Sequence, residues 1–388
     1  MATTPVKYFH SGMSGAPVLS GTAGALTALL DACLLNGFGL QTASSVVISN
    51  GIATATLPAI PAAAKDSTIL VAGATPSGLN GEQRVTAATI TSVSWATTEA
   101  NGTATGTITI KAAPAGWAKV FSGTNLAAYK PIAPEATGCV LRVDDTGTTN
   151  ARIRAYESMS NIDTGIGPIP LEGQVSGGLY WPKSGFASGT ACFWSMAVDE
   201  RGMYLAIAPS GGDRYTLLYA GDIASFKSGD AYGYLVTGNQ ADQTALTTVP
   251  DGCCGYSHRS ARSGAYMARS YTALGQSVTA QRLGAHHNGS TADVYAGTPG
   301  YALGTYPNGP NNGLMTCALE LYGQSLRGTL PGLLHPVQDC SGSFSTGDVV
   351  DGTDDMAGRR LLALRTGPPT GSAVPGTVFI DLTGPWRR

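Results

Sequence analysis

Charge is what this sequence has least of. Only 12% of its 388 residues are Asp, Glu, Lys or Arg, about half the share of an ordinary soluble domain. The 23 basic and 25 acidic residues leave a net charge of −2. That balance argues against nucleic acid as a partner, because such surfaces carry a basic patch. No run of about 18 apolar residues occurs, so no membrane span is expected. Met1 to His10 lack a basic stretch followed by an apolar one, so no secretory signal is expected. The expected compartment is the bacterial cytoplasm, or a particle assembled there. Cysteine is sparse and unpatterned. Seven residues, Cys33, Cys139, Cys192, Cys253, Cys254, Cys317 and Cys340, hold no C-x-x-C pair. They read as buried reduced thiols acting as small hydrophobes. The exception is Cys253-Cys254, one of which is a candidate to reach Cys317 or Cys340.

Catalytic signatures are missing as well. The five histidines, His10, His258, His286, His287 and His335, fall in no zinc-hydrolase or deaminase motif. Cys253, Cys254 and His258, with His286 or His287, form a weak candidate for a soft metal. Gly12-Met13-Ser14-Gly15 and Gly255-Tyr256-Ser257-His258 only brush past a nucleophile elbow. Gly21–Gly24 precedes a helix but lacks the lysine of a phosphate loop. A glycosidase needs two facing acids. The candidates are Asp144, Asp145, Glu157, Asp163, Asp199, Glu200, Asp222 and Asp230, most of them in turns where Asp serves its own backbone. Asp351-Gly352-Thr353-Asp354-Asp355 offers oxygen ligands for calcium but not the spacing of an EF-hand. An exposed loop is the better reading. No catalytic, cofactor-binding or metal residue is assigned, no cofactor is expected, and the chain is not expected to be an enzyme.

Glycine is what the chain has in abundance, with 52 residues. It recurs beside Thr, Asn, Asp and Pro, the chemistry of short strands joined by tight turns. The expected fold is mainly β. At this length the chain has room for two or three domains. Three segments are expected: an N-terminal arm and helix over 1–43, a small sandwich- or barrel-like β module over 44–113, and a larger β-rich domain over 114–388 with long loops.

The helix follows Thr22, a candidate cap, and repeats Leu26, Leu29, Leu30, Cys33 and Leu34 at helical spacing. Asn36-Gly37 ends it. The lead Lys7–Ser20 reads either as an arm that docks on a neighbouring subunit or as a loose tail. Val46–Ile48 and Ile52–Leu57 flank Asn50-Gly51, a strong hairpin signal. Asp144–Gly147 and Asp199–Gly202 turn two more hairpins. Asp163–Gly189 and Asn239–Gly264 read as long irregular segments, which are usually functional or ordered by partners. Tyr180, Trp181, Tyr301 and Tyr306 are expected in loops, where aromatic rings suit interface anchoring better than sugar recognition.

Several segments resemble a family of uncharacterised proteins of tailed bacteriophages and prophages. They are Lys7–Met13 with Ala16-Pro17, Leu35–Gly39, Leu141–Asp145, Tyr156–Met159, Trp181–Ser184, Ser325–Gly328 with Leu330–Gly332, and Asp381–Arg387. Gly73–Pro76 through Leu79–Gly81 is similar to small β modules of phage structural proteins. The resemblance spans nearly the whole chain. It implies a virion protein of the tail, baseplate or tail tip, with a head or neck position as the lesser alternative. It carries over no catalytic residue, since the family has no agreed active site.

Low charge and many strands suit a subunit with neighbours, because uncharged strand edges invite pairing. The expected function is therefore structural: self-association into a homo-oligomer and docking to other virion proteins. The alternative is a module for host attachment that grips a surface glycan or pilus, and a depolymerising enzyme ranks last.

Overall fold

Alternation decides the first hairpin. In Ser45–Ser49, Val46 and Ile48 point inward and Val47 and Ser49 outward; Ile52–Thr56 buries Ala53 and Ala55. Between them Asn50 and Gly51 have φ of 51° and 77°. Two successive left-handed residues make the two-residue turn whose twist matches that of paired strands. The computed structural model describes residues 6–212, 215–242, 254, 263–283, 304–307, 312–340, 342–367 and 376–387. Strands take up 48% of it and helix 6%. The protein is mainly β, built from curled antiparallel sheets.

The hairpin belongs to an eight-stranded sheet. Its spatial order is Phe38–Thr42, Thr109–Ala112, Thr68–Ala72, Gly81–Ala88, Ser92–Ala96, Ile52–Thr56, Ser45–Ser49 and Gly102–Thr103. This sheet has its own core, with Val46, Ile48, Ile69, Val71, Val93, Trp95 and Ile110 inside.

A thirteen-stranded sheet carries the main core. Its path begins at Lys7–His10 and runs through Phe193–Val198, Gly202–Ala208, Thr216–Asp222, Tyr234–Asn239 and Leu179–Pro182. It continues through Asn150–Asn161, Val140–Asp144 and Leu126–Lys130 to Ala118–Gly123. Gly202–Ala208 and Thr216–Asp222 are buried at every position, as their largely apolar interiors favour, and the buried Asp222 is paired with Arg201. A seven-stranded sheet includes Thr316–Tyr322, Leu326–Pro336, Gly376–Asp381 and Arg360–Thr366.

The helix forms over Ala25–Leu30 and widens to a π-helical segment over Asp31–Asn36. Gly37 ends it, but with φ of 69° and ψ of 176° it is not the left-handed cap that Asn36-Gly37 suggested; its positive φ is one that glycine adopts readily. Its apolar stripe of Leu26, Leu29, Leu30, Cys33 and Leu34 joins the core of the thirteen-stranded sheet. Thr22 is not its cap. The Thr22 hydroxyl pairs with that of Ser20 instead. Asp145, 119 residues away, accepts hydrogen bonds from the N–H groups of Leu26 and Thr27 at 2.7 and 3.0 Å.

Three further expectations are corrected. The lead Lys7–Ser20 is neither arm nor tail. Lys7–His10 pairs in register with Ser195–Val198, Leu19 bridges Cys192, and Val6, Tyr8, Phe9, Met13 and Leu19 are buried. Apolar residues among the glycines and serines drive this, since they gain by leaving water. Asp163–Gly189 is not irregular throughout: it holds the strands Thr164–Ile169 and Leu179–Pro182. Trp181 sits in the second of these, fully buried, and donates its indole N–H to the Thr237 carbonyl at 2.6 Å. Most of Asn239–Gly264 lies outside the described residues, as do Cys253, His258, His286, His287 and Tyr301.

Candidate functional site

Seven of the eight carboxylates weighed for glycan hydrolysis are paired with cations, and the eighth, Glu200, is exposed. Asp145 pairs with Lys183, both side chains entirely buried. Arg269 forks onto Glu157 at 2.6 and 2.7 Å. Arg201 donates to Asp222 at 2.9 Å, and Arg387 pairs with Asp199. Arg327 forks onto Asp230 at 2.6 and 2.7 Å, and that pair is almost wholly buried. Asp163 meets Arg142 at the surface, and Arg142 also lies 3.7 Å from Asp144. Such pairs fix elements against each other rather than leaving two acids facing across a bond.

One network stands out. Asp199 lies in the turn between Phe193–Val198 and Gly202–Ala208, and Asp222 ends the next strand of the sheet, Thr216–Asp222. Asp199 accepts from the N–H groups of Arg201 and Gly202 at 2.9 and 2.7 Å, closing the hairpin turn. Asp222 accepts from the Thr137 hydroxyl at 2.6 Å. Arg387, near the end of the chain, reaches Asp199, the Tyr219 hydroxyl and the Asp222 carbonyl. Burial pushes the Asp199 carboxyl up, against the pull of Arg387. Burial opposes the charge on Arg387, yet Tyr219, Asp199 and Asp222 outweigh it and hold its pKa above the ordinary value. The chain's end is thereby locked to the hairpin.

The remaining candidates fall apart or take structural roles. Cys33, Cys139, Cys192, Cys254 and Cys340 are buried free thiols, and Cys317 is half-buried. Burial pushes Cys254 up to about 11 and Cys139 and Cys340 up to about 12, so none is a ready thiolate. The His335 ring lies 2.8 Å from the Cys254 carbonyl. Asp351 is drawn to Arg360, and Asp354 enters a short 3-10 turn over Asp354–Met356. Among the described residues no group of three or more His, Cys, Asp or Glu is placed to hold a metal. Tyr306 packs its ring against Phe344, 4.9 Å between centroids. Tyr180 is covered by the Arg152 guanidinium, 3.6 Å above its ring.

Two features have no counterpart in the sequence reading. The first is a cavity of about 630 Å³ beside the Asp199–Asp222–Arg387 network. Its walls are 135–137, Arg201, the loop 223–233 and Arg387. Arg327 holds that loop from beneath through Asp230, helped by the Ser225 hydroxyl at 2.8 Å. The pair joins residues 97 apart, which no local pattern signals. Burial alone would raise the Asp230 carboxyl, but Arg327 and Ser225 outweigh it, and its pKa lies below the usual value. A depressed carboxyl contributes stability above its unfolded pKa and loses it as pH falls through the folded one. Pepsin should therefore cut within 223–233 only below about pH 4, where carboxylates ordinarily titrate. Cutting in the loop already above that point would refute the pairing.

The second feature is apolar surface. Beside the isolated bridge of Leu19 with Cys192, the adjacent residues Val18 and Phe193 are both exposed. Val18 is 61% and Phe193 56% exposed. Phe186, 67% exposed, lies on the segment that closely approaches Gly21. No protein-family model matches the chain, and no curated protein matches it.

Proposed function

We propose that this protein is a structural subunit of a tailed-bacteriophage virion, placed in the tail or its tip, that works by docking against copies of itself and other virion proteins. The observation that carries the reading is the exposure of three large apolar side chains, Val18, Phe186 and Phe193, on stretches brought close by the Leu19–Cys192 bridge and by the approach of the Phe186 carbonyl to Gly21. Large apolar side chains grouped at a surface mark contact sites. The low charge of the chain and the resemblance of its segments to phage proteins support the same reading. So does the commitment of its buried carboxylates to structural ion pairs.

Two measurements test it. Mass spectrometry of gradient-purified particles of the encoding phage should find the chain at a fixed copy number; its absence from clean particles would remove the virion reading. Sedimentation of the purified chain should show an oligomer. Phe193→Asp should shift it toward monomer by at least about tenfold in dissociation constant, since hot-spot residues typically carry about 2 kcal/mol or more. Circular dichroism should not change. An unaltered oligomer would displace this patch as the contact.

A further inference from the structure

We propose that the cavity beside the loop 223–233 binds a neutral saccharide. The inference is independent of the virion reading, since a structural subunit and a sugar-binding one can be the same chain.

Size is the first argument. About 630 Å³ lies within the range of small-ligand sites. Charge is the second. Arg201 is matched by Asp222, Arg387 by Asp199, and Asp230 by Arg327. The other ionic residues of the lining, Glu135 and Lys227, add one charge of each sign. An anion or a cation would therefore find no net field to select it. A wholly apolar ligand would strip water from guanidinium groups and offer them nothing in exchange. A polyhydroxylated neutral molecule meets both conditions, because each hydroxyl both donates and accepts.

Phe226 supplies the third argument. Its side chain is 58% exposed and forms part of the lining. An aromatic ring at the mouth of a polar concavity offers a flat face to the C–H face of a pyranose. The ring is not there by looseness. Phe226 donates its N–H to the Arg327 carbonyl at 2.9 Å, and Arg327 is itself clamped on Asp230. A buried ion pair is a costly way to hold a loop. Here it fixes the backbone that carries the exposed ring, which lowers the cost to a ligand of ordering the loop.

The test uses saturation-transfer NMR on the full chain with glucose, galactose, mannose, rhamnose and N-acetylglucosamine at millimolar concentration, and glucuronate as the charged comparator. At least one neutral sugar should receive saturation. Phe226→Ala should weaken that sugar by about five- to tenfold with unchanged circular dichroism. Lys65→Ala, exposed and outside the lining, should leave it within about twofold. Transfer to none of the neutral sugars would overturn the proposal. So would equal affinity in Phe226→Ala, or binding of glucuronate alone that Lys227→Ala abolishes.

Discussion

Replacing Lys183 with methionine should cost about 3–5 kcal/mol of stability, the usual result of stranding one partner of a buried ion pair. Both Lys183 and Asp145 have no exposed side-chain surface. The ammonium spends its three hydrogens on Asp145, the Thr22 carbonyl at 2.9 Å and the Gly147 carbonyl at 2.7 Å. Lys183 therefore ties the lead into the helix to the turn after Val140–Asp144. Asp145 does the rest by capping the helix through Leu26 and Thr27. Methionine fills similar space but leaves the carboxylate without its cation and the Gly147 carbonyl without its donor. The midpoint of urea unfolding, followed by circular dichroism, measures the cost. A loss below about 1 kcal/mol would mean that the pair is a surface-grade contact.

The sign of the pH effect separates this account from simple mispacking. Burial already pushes the Asp145 carboxyl above its ordinary value, against the pull of Lys183 and the two backbone N–H groups. Removing the cation pushes it further up. A carboxyl raised in the folded state contributes most when protonated, below its unfolded pKa, and loses that contribution as pH rises through its folded one. The deficit of Lys183→Met should thus be smaller at about pH 4 than at neutrality. A cavity or clash would give the same deficit at both.

Asn50-Gly51, Asp144–Gly147 and Asp199–Gly202 were readable as turns because the signal and the structure it dictates lie within four residues of each other. The helix stripe from Leu26 to Leu34 was readable for the same reason. What escaped the sequence is long-range. Thr22 offers a sound local cap, yet Asp145 takes the role because the fold brings it there, beside Lys183. Trp181 follows a loop-like glycine pair, but its neighbours in space are Thr237 and the strand Tyr234–Asn239 that holds it. The cavity by Phe226 depends on Arg327 meeting Asp230 and on Arg387 returning to Asp199 and Asp222. Residues 97 and 188 apart meet there, and one-dimensional patterns carry no trace of such meetings.

Deleting residues 1–20 should leave no folded protein at all, in contrast to what a detachable arm would permit. Lys7–His10 pairs with Phe193–Val198, and its removal would bare the backbone of a strand whose Trp194 and Met196 belong to the main core. Val6, Tyr8, Phe9, Met13 and Leu19 would go with it. Truncating one large buried side chain costs about 2–5 kcal/mol. Five together, even with generous relaxation, reach about 10 kcal/mol or more, comparable with the whole stability of a typical domain. The same strand also joins the sheets to each other. Lys7 pairs with Glu82 of the eight-stranded sheet at 2.9 Å, and Arg84 of that sheet reaches the Leu382 carbonyl at 2.7 Å. The loss should therefore spread beyond one edge. Phe9→Ala, a lighter cut, should cost about 3–5 kcal/mol while still yielding soluble chain, which keeps the argument measurable if the truncation only aggregates. A truncated chain with native circular dichroism and a cooperative melt would show that the first strand is an accessory, and the burial argument built on it would fail.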